Sequence, residues 1–372
     1  MVRRIFGINF FDSFIDGIVT VAVPLLMLER GIDLATIGIV FAITPLVKLV
    51  LRMISSAVAD KRGEKAFYTL NGLANLAQAI VLVFSHSPLF FGVARLFNGA
   101  RTAFIWAVNR SSLIAQSEGK HFTLTKMSSG RMFYFALGSV AVFLLYPKGG
   151  FDILFALVAI LAIASMYFSL GVKNTPHREK VKWLDMSPFG RRKSFYQTMA
   201  AMMTGTALYV VVIYLLIPIY FSLAGFSLAD ISLLYAGYFF IFGLALNFLS
   251  HRKLDSGRAA LLGSALFIIC LSGLSFAPSG YWAVFFLLMA IGDACLNLLW
   301  EHIIYLEAHD SRNKSIVIGL LHVPGELGMV IISAFAGFAV AVVGFAPLFL
   351  LGAACMALYS RMSLSLIADR DK

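Results

Sequence analysis

Residues 56–65 read Ser56-Ala57-Val58-Ala59-Asp60-Lys61-Arg62-Gly63-Glu64-Lys65, a short charged turn between two apolar runs at 36–57 and 66–86. Each run has the length of one bilayer crossing, because a hydrocarbon core about 30 Å thick needs roughly 20 apolar helical residues. Outward from this turn the same alternation continues to both ends of the chain. Further runs lie at 6–28, 88–109, 128–146, 151–172, 196–223, 229–249, 259–277, 281–303, 315–341 and 345–366. Backbone groups do not stay unpaired in lipid, so runs of this length predict helices, whereas a barrel would show short alternating segments. Composition agrees, with 60% hydrophobic and 13% charged residues and a mean hydropathy of +0.87. The expected fold is an all-α polytopic membrane protein of twelve transmembrane helices.

Charge supplies an orientation. With the N-terminus inside, the outer gaps hold only Arg30 and Lys148, and Lys48, Arg52, Arg95 and Arg101 fall within runs, so 24 of the 30 Lys and Arg lie on or at the border of the cytoplasmic side. That asymmetry is the positive-inside pattern and predicts cytoplasmic termini in a multi-pass plasma-membrane protein. The net charge of +11 then reflects topology and contact with anionic inner-leaflet lipid; no basic patch sits on a soluble domain, which argues against nucleic acid. Asp12 and Asp16 interrupt the first run, so it reads as a span rather than a signal peptide. Cys270, Cys295 and Cys355 fall inside runs without metal-ligand spacing and read as packing residues.

The longest polar gap begins at Lys173 and divides the chain into 1–172, a basic linker at 173–195, and 196–372, with six runs on either side. The linker interleaves Lys173, Arg178, Lys180, Lys182, Arg191, Arg192 and Lys193 with Trp183, Leu184, Met186 and Phe189, which suits either a tether in solvent or contact with the inner leaflet. The turn at 56–65 has a counterpart between runs eight and nine, Ser250-His251-Arg252-Lys253-Leu254-Asp255-Ser256-Gly257-Arg258, again a carboxylate, basic residues and a turn glycine. Two related six-helix halves are the expectation.

On these residues the chain resembles the major facilitator superfamily. The first turn is similar to that family's G-x-L-A-D-R-x-G-R-K signature, with Ala59, Asp60, Lys61, Gly63 and Lys65 matching, and Ser56, Val58 and Glu64 departing. Arg95-Leu96-Phe97-Asn98-Gly99 resembles its R-x-x-Q-G element, with Asn98 for glutamine, while Arg101 departs from the small residue usual two places on. Gly130 and Gly138 occur in the fifth run without the glycine-proline pair associated with antiporters. The resemblance spans the chain and implies two pseudo-symmetric halves around a central cavity lined by helices one, four, seven and ten. It implies structural or gating roles for Asp60, Lys61, Gly63, Lys65 and Gly99, and a part in coupling or packing for Arg95. It names no substrate.

Eight ionisable residues lie well inside runs: Asp12, Asp16, Lys48, Arg52, Arg95, Arg101, Asp293 and Glu326. Facing lipid, each would cost about 2.5–3.5 kcal/mol, or roughly 20–28 kcal/mol together, against a typical stability of about 5–15 kcal/mol. They must face the interior, one another or water, and are functional candidates on that ground. Asp12 and Asp16 share a helix face, as do Lys48 and Arg52 on the next helix, and depth along the helices matches Asp12 with Arg52 and Asp16 with Lys48. A two-rung ladder is therefore expected, either as an ion-pair clamp or as a switch in which protonating Asp16 releases Lys48. Asp293 and Glu326 fall at equal depth on runs ten and eleven and are expected to share a proton. His322 shares the Glu326 face near the depth of Asn297, and Pro324 with Gly319, Gly325 and Gly328 predicts a bent or open helix there. The alternative for Asp293 is hydrogen-bonding glue between helices.

Arg101 offers a planar fork for an anion, or pairs with Asp16 or Asp293 in a coupling network. Tyr209, Tyr214 and Trp106 are cavity aromatics or packing residues. No G-x-x-x-x-G-K-[ST] element supports an ATP-driven pump. Glu301, His302, Glu307, His309 and Asp310 lack H-E-x-x-H spacing and read as solvated charges at a helix end, so neither an enzyme, a metal nor a cofactor is indicated. The reading is a secondary active transporter working by alternating access, coupled to protons, and monomeric. Asp16, Asp293, Glu326 and Asp12 are the coupling candidates, and Arg101, Asn297 and His322 the cavity candidates. Uptake of an organic anion on Arg101 competes with efflux of lipophilic cations on the acids beside a wall drawn from 34 phenylalanines. A sensor or scaffold without net transport is the rival from another class.

Overall fold

The computed structural model describes residues 2–116, 122–172, 186–252, 255–309, 311 and 313–370. Among them the regular structure is helical throughout: α1 (Val2–Glu29), α2 (Leu34–Arg62), α3 (Lys65–Val83) and α4 (Pro88–Gln116). The stretch Phe122–Leu170 is broken at Gly149 and Gly150 into α5 (122–148) and α6 (151–170). Gly150 takes φ 63 and ψ −151, a conformation a side chain resists, and the chain reverses there. Tyr146 meets Glu29 at one end of α1, while Phe168 covers Gly7 and Arg4 covers Gly171 at the other. α7 spans 193–223, followed by α8 (Leu228–Arg252), α9 (Ser256–Phe276), α10 (Trp282–Ala308), α11 (Lys314–Val343) and α12 (Ala346–Arg370).

Ten stretches are long and apolar enough to cross a bilayer. One of them holds both α5 and α6, and α4 falls outside the ten because Arg95, Arg101 and Arg110 dilute its apolar run. The surface is inverted relative to a water-soluble fold: Leu89, Leu261, Phe335 and Ile160 are exposed, while Asp12, Arg52, Arg101 and Glu326 are buried. Polar side chains inside and apolar ones outside suit hydrocarbon as the surrounding medium.

Two seams join the first six helices to the last six, α2 against α11 and α5 against α8. Each pairs the second helix of one half with the fifth of the other, as a repeat requires. The first seam runs from Leu34 beside Gly337 to Ser56 beside Gly319; in the second, Ser129 Oγ donates to Gly243 O at 2.8 Å. Within the first half, α1 and α5 touch backbone to backbone, since a Cβ on Gly17 would lie 2.1 Å from Phe135 O. Ser139 reinforces that contact by donating to Gly17 O.

The interruption expected in α11 lies in α7 instead. α11 is helical from end to end with Pro324 inside it, and its glycines are seats for neighbours: Gly325 takes Thr206 and Gly328 takes Ala207. In α7, Val212–Leu216 form a π turn just before Pro218. Proline has no N–H to donate and crowds the preceding turn, so Ile217 N reaches back to Val212 O. The freed Ile213 carbonyl accepts from the Tyr235 hydroxyl of α8.

Gly63 ends α2 with φ 91, its N–H donating to Ala59 O. Gly257, expected to form a turn, lies in the first turn of α9, whose N-cap is Asp255. On the opposite side of the bundle Asp33 caps α2, and hydrogen bonds from the Thr36 hydroxyl and N–H hold its carboxyl below the usual range. Residues 173–185 of the expected linker lie outside the described residues; Met186 packs on the core and Lys193 opens α7.

Candidate functional site

Side chains from α1, α2, α4, α5, α7, α8, α10, α11 and α12 enclose a cavity of about 350 Å³, within the range of small-molecule sites. Buried charge arrives there in four groups. In the first, Arg101 of α4 places Nη1 3.2 Å from Asp12 Oδ1 and Nη2 against Asp16. Its Nε donates to Asn98 Oδ1 at 3.0 Å. Arg131 of α5 lies 3.7 Å from Asp12 and 3.5 Å from Asp16, and donates to Ser13 Oγ. From behind, Asn71 and Asn75 of α3 donate to Asp12 Oδ1 at 2.9 and 3.3 Å.

The second group crosses between the halves. Glu326 of α11 accepts Lys48 Nζ at 2.6 Å and Arg52 Nη1 at 3.2 Å, both from α2. The third does the same from α4 and α5 to α10. Arg110 grips Glu301 with Nε and Nη2 at 3.0 and 2.6 Å, and Ser128 donates to the same carboxylate at 2.9 Å. Trp106 is sandwiched by cations, with Arg110 at 4.3 Å and Arg131 at 4.0 Å from its ring centroids. In the fourth group Asp293 of α10 accepts the hydroxyls of Tyr209 on α7 and Tyr238 on α8. Among the described residues no Lys, Arg or His lies within ion-pair distance of it.

This pairing replaces the ladder expected between α1 and α2. Asp12 and Asp16 meet Arg101 and Arg131, while Lys48 and Arg52 meet Glu326. The cause is helix placement: α1 packs on α5 and α6, α2 on α4 and α11, so the charged faces of α1 and α2 do not meet. The shared proton between Asp293 and Glu326 is corrected too, since each carboxylate has its own partners. Glu301 is not a solvated helix-end charge; it is 1% exposed and clamped by Arg110.

Of the cavity candidates, Arg101, Asn297 and His322 all line the space, with Tyr209, Tyr214 and Trp106. Asn297 Oδ1 is buried without a partner, and His322 Nδ1 engages Ile318 O. Gly99 is a packing seat against Thr44 and Val47. Lys61 is exposed and Lys65 opens α3; the Asp60 side chain lies outside the described residues. Sequence reasoning missed Arg110, Arg131 and Tyr238. The two arginines stand close enough to run ends to pass for border charges. The Asn71, Asn75 and Gln78 stripe on α3, one helix face in an otherwise apolar run, was a legible sign of the buried charge it serves. No group of His, Cys, Asp and Glu among the described residues is arranged to hold a metal.

Solved structures with the same arrangement are transporters. The nucleoside transporter NupG matches with a TM-score of 0.71 at 13% identity, covering 98% of each chain. The E. coli fucose:proton symporter FucP matches with a TM-score of 0.72 at 12% identity, also covering 98% of each. No curated protein matches by sequence. The family profile described as Major Facilitator Superfamily matches residues 5–309. An integral multi-pass membrane protein with a charged central cavity between two helical halves, this chain belongs to the Major Facilitator Superfamily and is a secondary transporter rather than an enzyme.

Proposed function

We propose that the protein carries a small polar molecule by alternating access, driven by the proton gradient, with Asp293 as the proton carrier. The observation that supports this most is the unequal partnering of the cavity acids. Asp12, Asp16, Glu301 and Glu326 each meet an arginine or lysine, so a proton on any of them would strand a buried cation, which is costly. A proton on Asp293 strands nothing. Its partners are hydroxyls, which accept as readily as they donate, so Tyr209 or Tyr238 turns to receive the new O–H. The printed name of one structural neighbour, a fucose:proton symporter, favours the same coupling. Efflux of cations suits the cavity less, because Asp16 and Glu326 are occupied by ion pairs. The bias of basic residues supports cytoplasmic termini and a plasma-membrane location.

The test is reconstitution of the full chain in liposomes containing a pH dye, with L-fucose, uridine and benzoate as first probes. Uptake that acidifies the lumen in wild type, and substrate exchange without acidification in Asp293→Asn, is the expected result. Acidification that persists in Asp293→Asn moves the proton to the Asp12–Asp16 group. Flux indifferent to an imposed pH gradient identifies an uncoupled facilitator, and binding without flux a sensor.

A further inference from the structure

Resting on that transport reading and narrowing its substrate, we infer that the cargo carries an acidic group and that Arg95 holds it. Five of the six buried cations in and against the cavity are committed to acids: Lys48, Arg52, Arg101, Arg110 and Arg131. Arg95 is not. It lines the cavity and no carboxylate among the described residues lies within ion-pair distance. Its guanidinium stacks 3.9 Å over the Phe41 ring centroid, and its Nε is buried without an acceptor. Its Nη1 and Nη2 have no protein partner and are not among the occluded orphan atoms, so they open on the cavity.

A guanidinium keeps its charge, and a charge in the membrane interior without a partner is expensive unless function retains it. Stacking on Phe41 fixes the plane and recovers part of the cost, leaving the N–H edge available. That edge fits a planar carboxylate or a phosphate, which it binds with paired hydrogen bonds. The wider charge balance points the same way. Six cations (Lys48, Arg52, Arg95, Arg101, Arg110, Arg131) stand against five acids (Asp12, Asp16, Asp293, Glu301, Glu326), so the site carries one positive charge in excess. An anion cancels it, and a cation would double it. The orphan Asn297 Oδ1 adds an acceptor for a hydroxyl or amine on the same molecule. Arg101, the sequence candidate for this role, is already spent on Asp12, Asp16 and Asn98.

The test is thermal stabilisation of the purified full chain in detergent by matched probes: benzoate, benzyl alcohol and benzylamine; glucuronate and glucose; uridine 5′-monophosphate and uridine. The acidic member of at least one set should raise the melting temperature by several degrees, and its neutral or cationic relative should not. Carboxylate and phosphate cargo separate by which acids act. Arg95→Gln should weaken that binding by roughly tenfold to a hundredfold, the loss of one charged partner, and Arg95→Lys should recover part of it. Because Arg95 has no protein partner to strand, Arg95→Gln should melt no lower than wild type without ligand, which guards against misfolding as the cause. Neutral relatives that stabilise as well as the acids, an Arg95→Gln protein that binds acids as before, or a wild type indifferent to every acid would each overturn the inference. The coupling reading fails separately: acid stabilisation with uptake that ignores the pH gradient sinks the proton role of Asp293 and leaves Arg95 standing.

Discussion

Arg101 sits between two acids at 2% exposure, and removing it leaves Asp12 and Asp16 with Arg131 alone, at 3.7 and 3.5 Å. Breaking a buried pair by deleting one partner costs about 3–5 kcal/mol. Arg101→Gln should therefore melt well below wild type in detergent, where Arg95→Gln does not. Equal melting of the two variants would show that the first-half network contributes little to stability. At this scale the sequence revealed which residues matter, because the penalty for a charge in lipid is the same wherever the charge sits in the run. It did not reveal the pairs. Lys48 and Arg52 share the depth and spacing of Asp12 and Asp16, but depth is one coordinate, and the partner depends on which helix face turns toward which neighbour.

The helices themselves were legible, since an apolar run of bilayer length has one way to satisfy its backbone. Their irregularities were not. Pro324 among glycines marked α11 for a break, yet those glycines receive Thr206, Ala207 and Ser56. The π turn formed instead before Pro218, where Tyr235 satisfies the liberated Ile213 carbonyl, a compensation supplied by a helix distant in sequence. Tyr235→Phe removes that donor and leaves a buried carbonyl bare, for a loss of about 1–3 kcal/mol. The change should lower the melting temperature and speed amide hydrogen exchange in α7 ahead of the other helices. Uniform exchange across the bundle would mean the hydroxyl is not what holds the turn.

For the molecule as a whole, the turn at 56–65, the run count and the charge bias sufficed for membrane class and family, while the seams between halves needed three dimensions. Those seams carry the ion pairs that must part for access to alternate. Glu301→Gln leaves Arg110 without its counter-charge, and the expected result is a shift toward forms opened at the end of the cavity where the chain termini lie. With Cys270, Cys295 and Cys355 replaced by Ser, a Met132→Cys protein should react severalfold faster with a membrane-impermeant thiol reagent once Glu301→Gln is added. An unchanged rate would show that this clamp does not gate the cavity.

Every ion pair across the seams has its cation on the first six helices and its acid on the last six: Lys48 and Arg52 against Glu326, Arg110 against Glu301. The halves therefore tell self from other. Two first halves brought face to face would set arginines against arginines, and two second halves would oppose bare carboxylates. A gene severed between them would yield fragments that find each other and reject their own kind, so the single chain fixes one stoichiometry that its two parts already prefer.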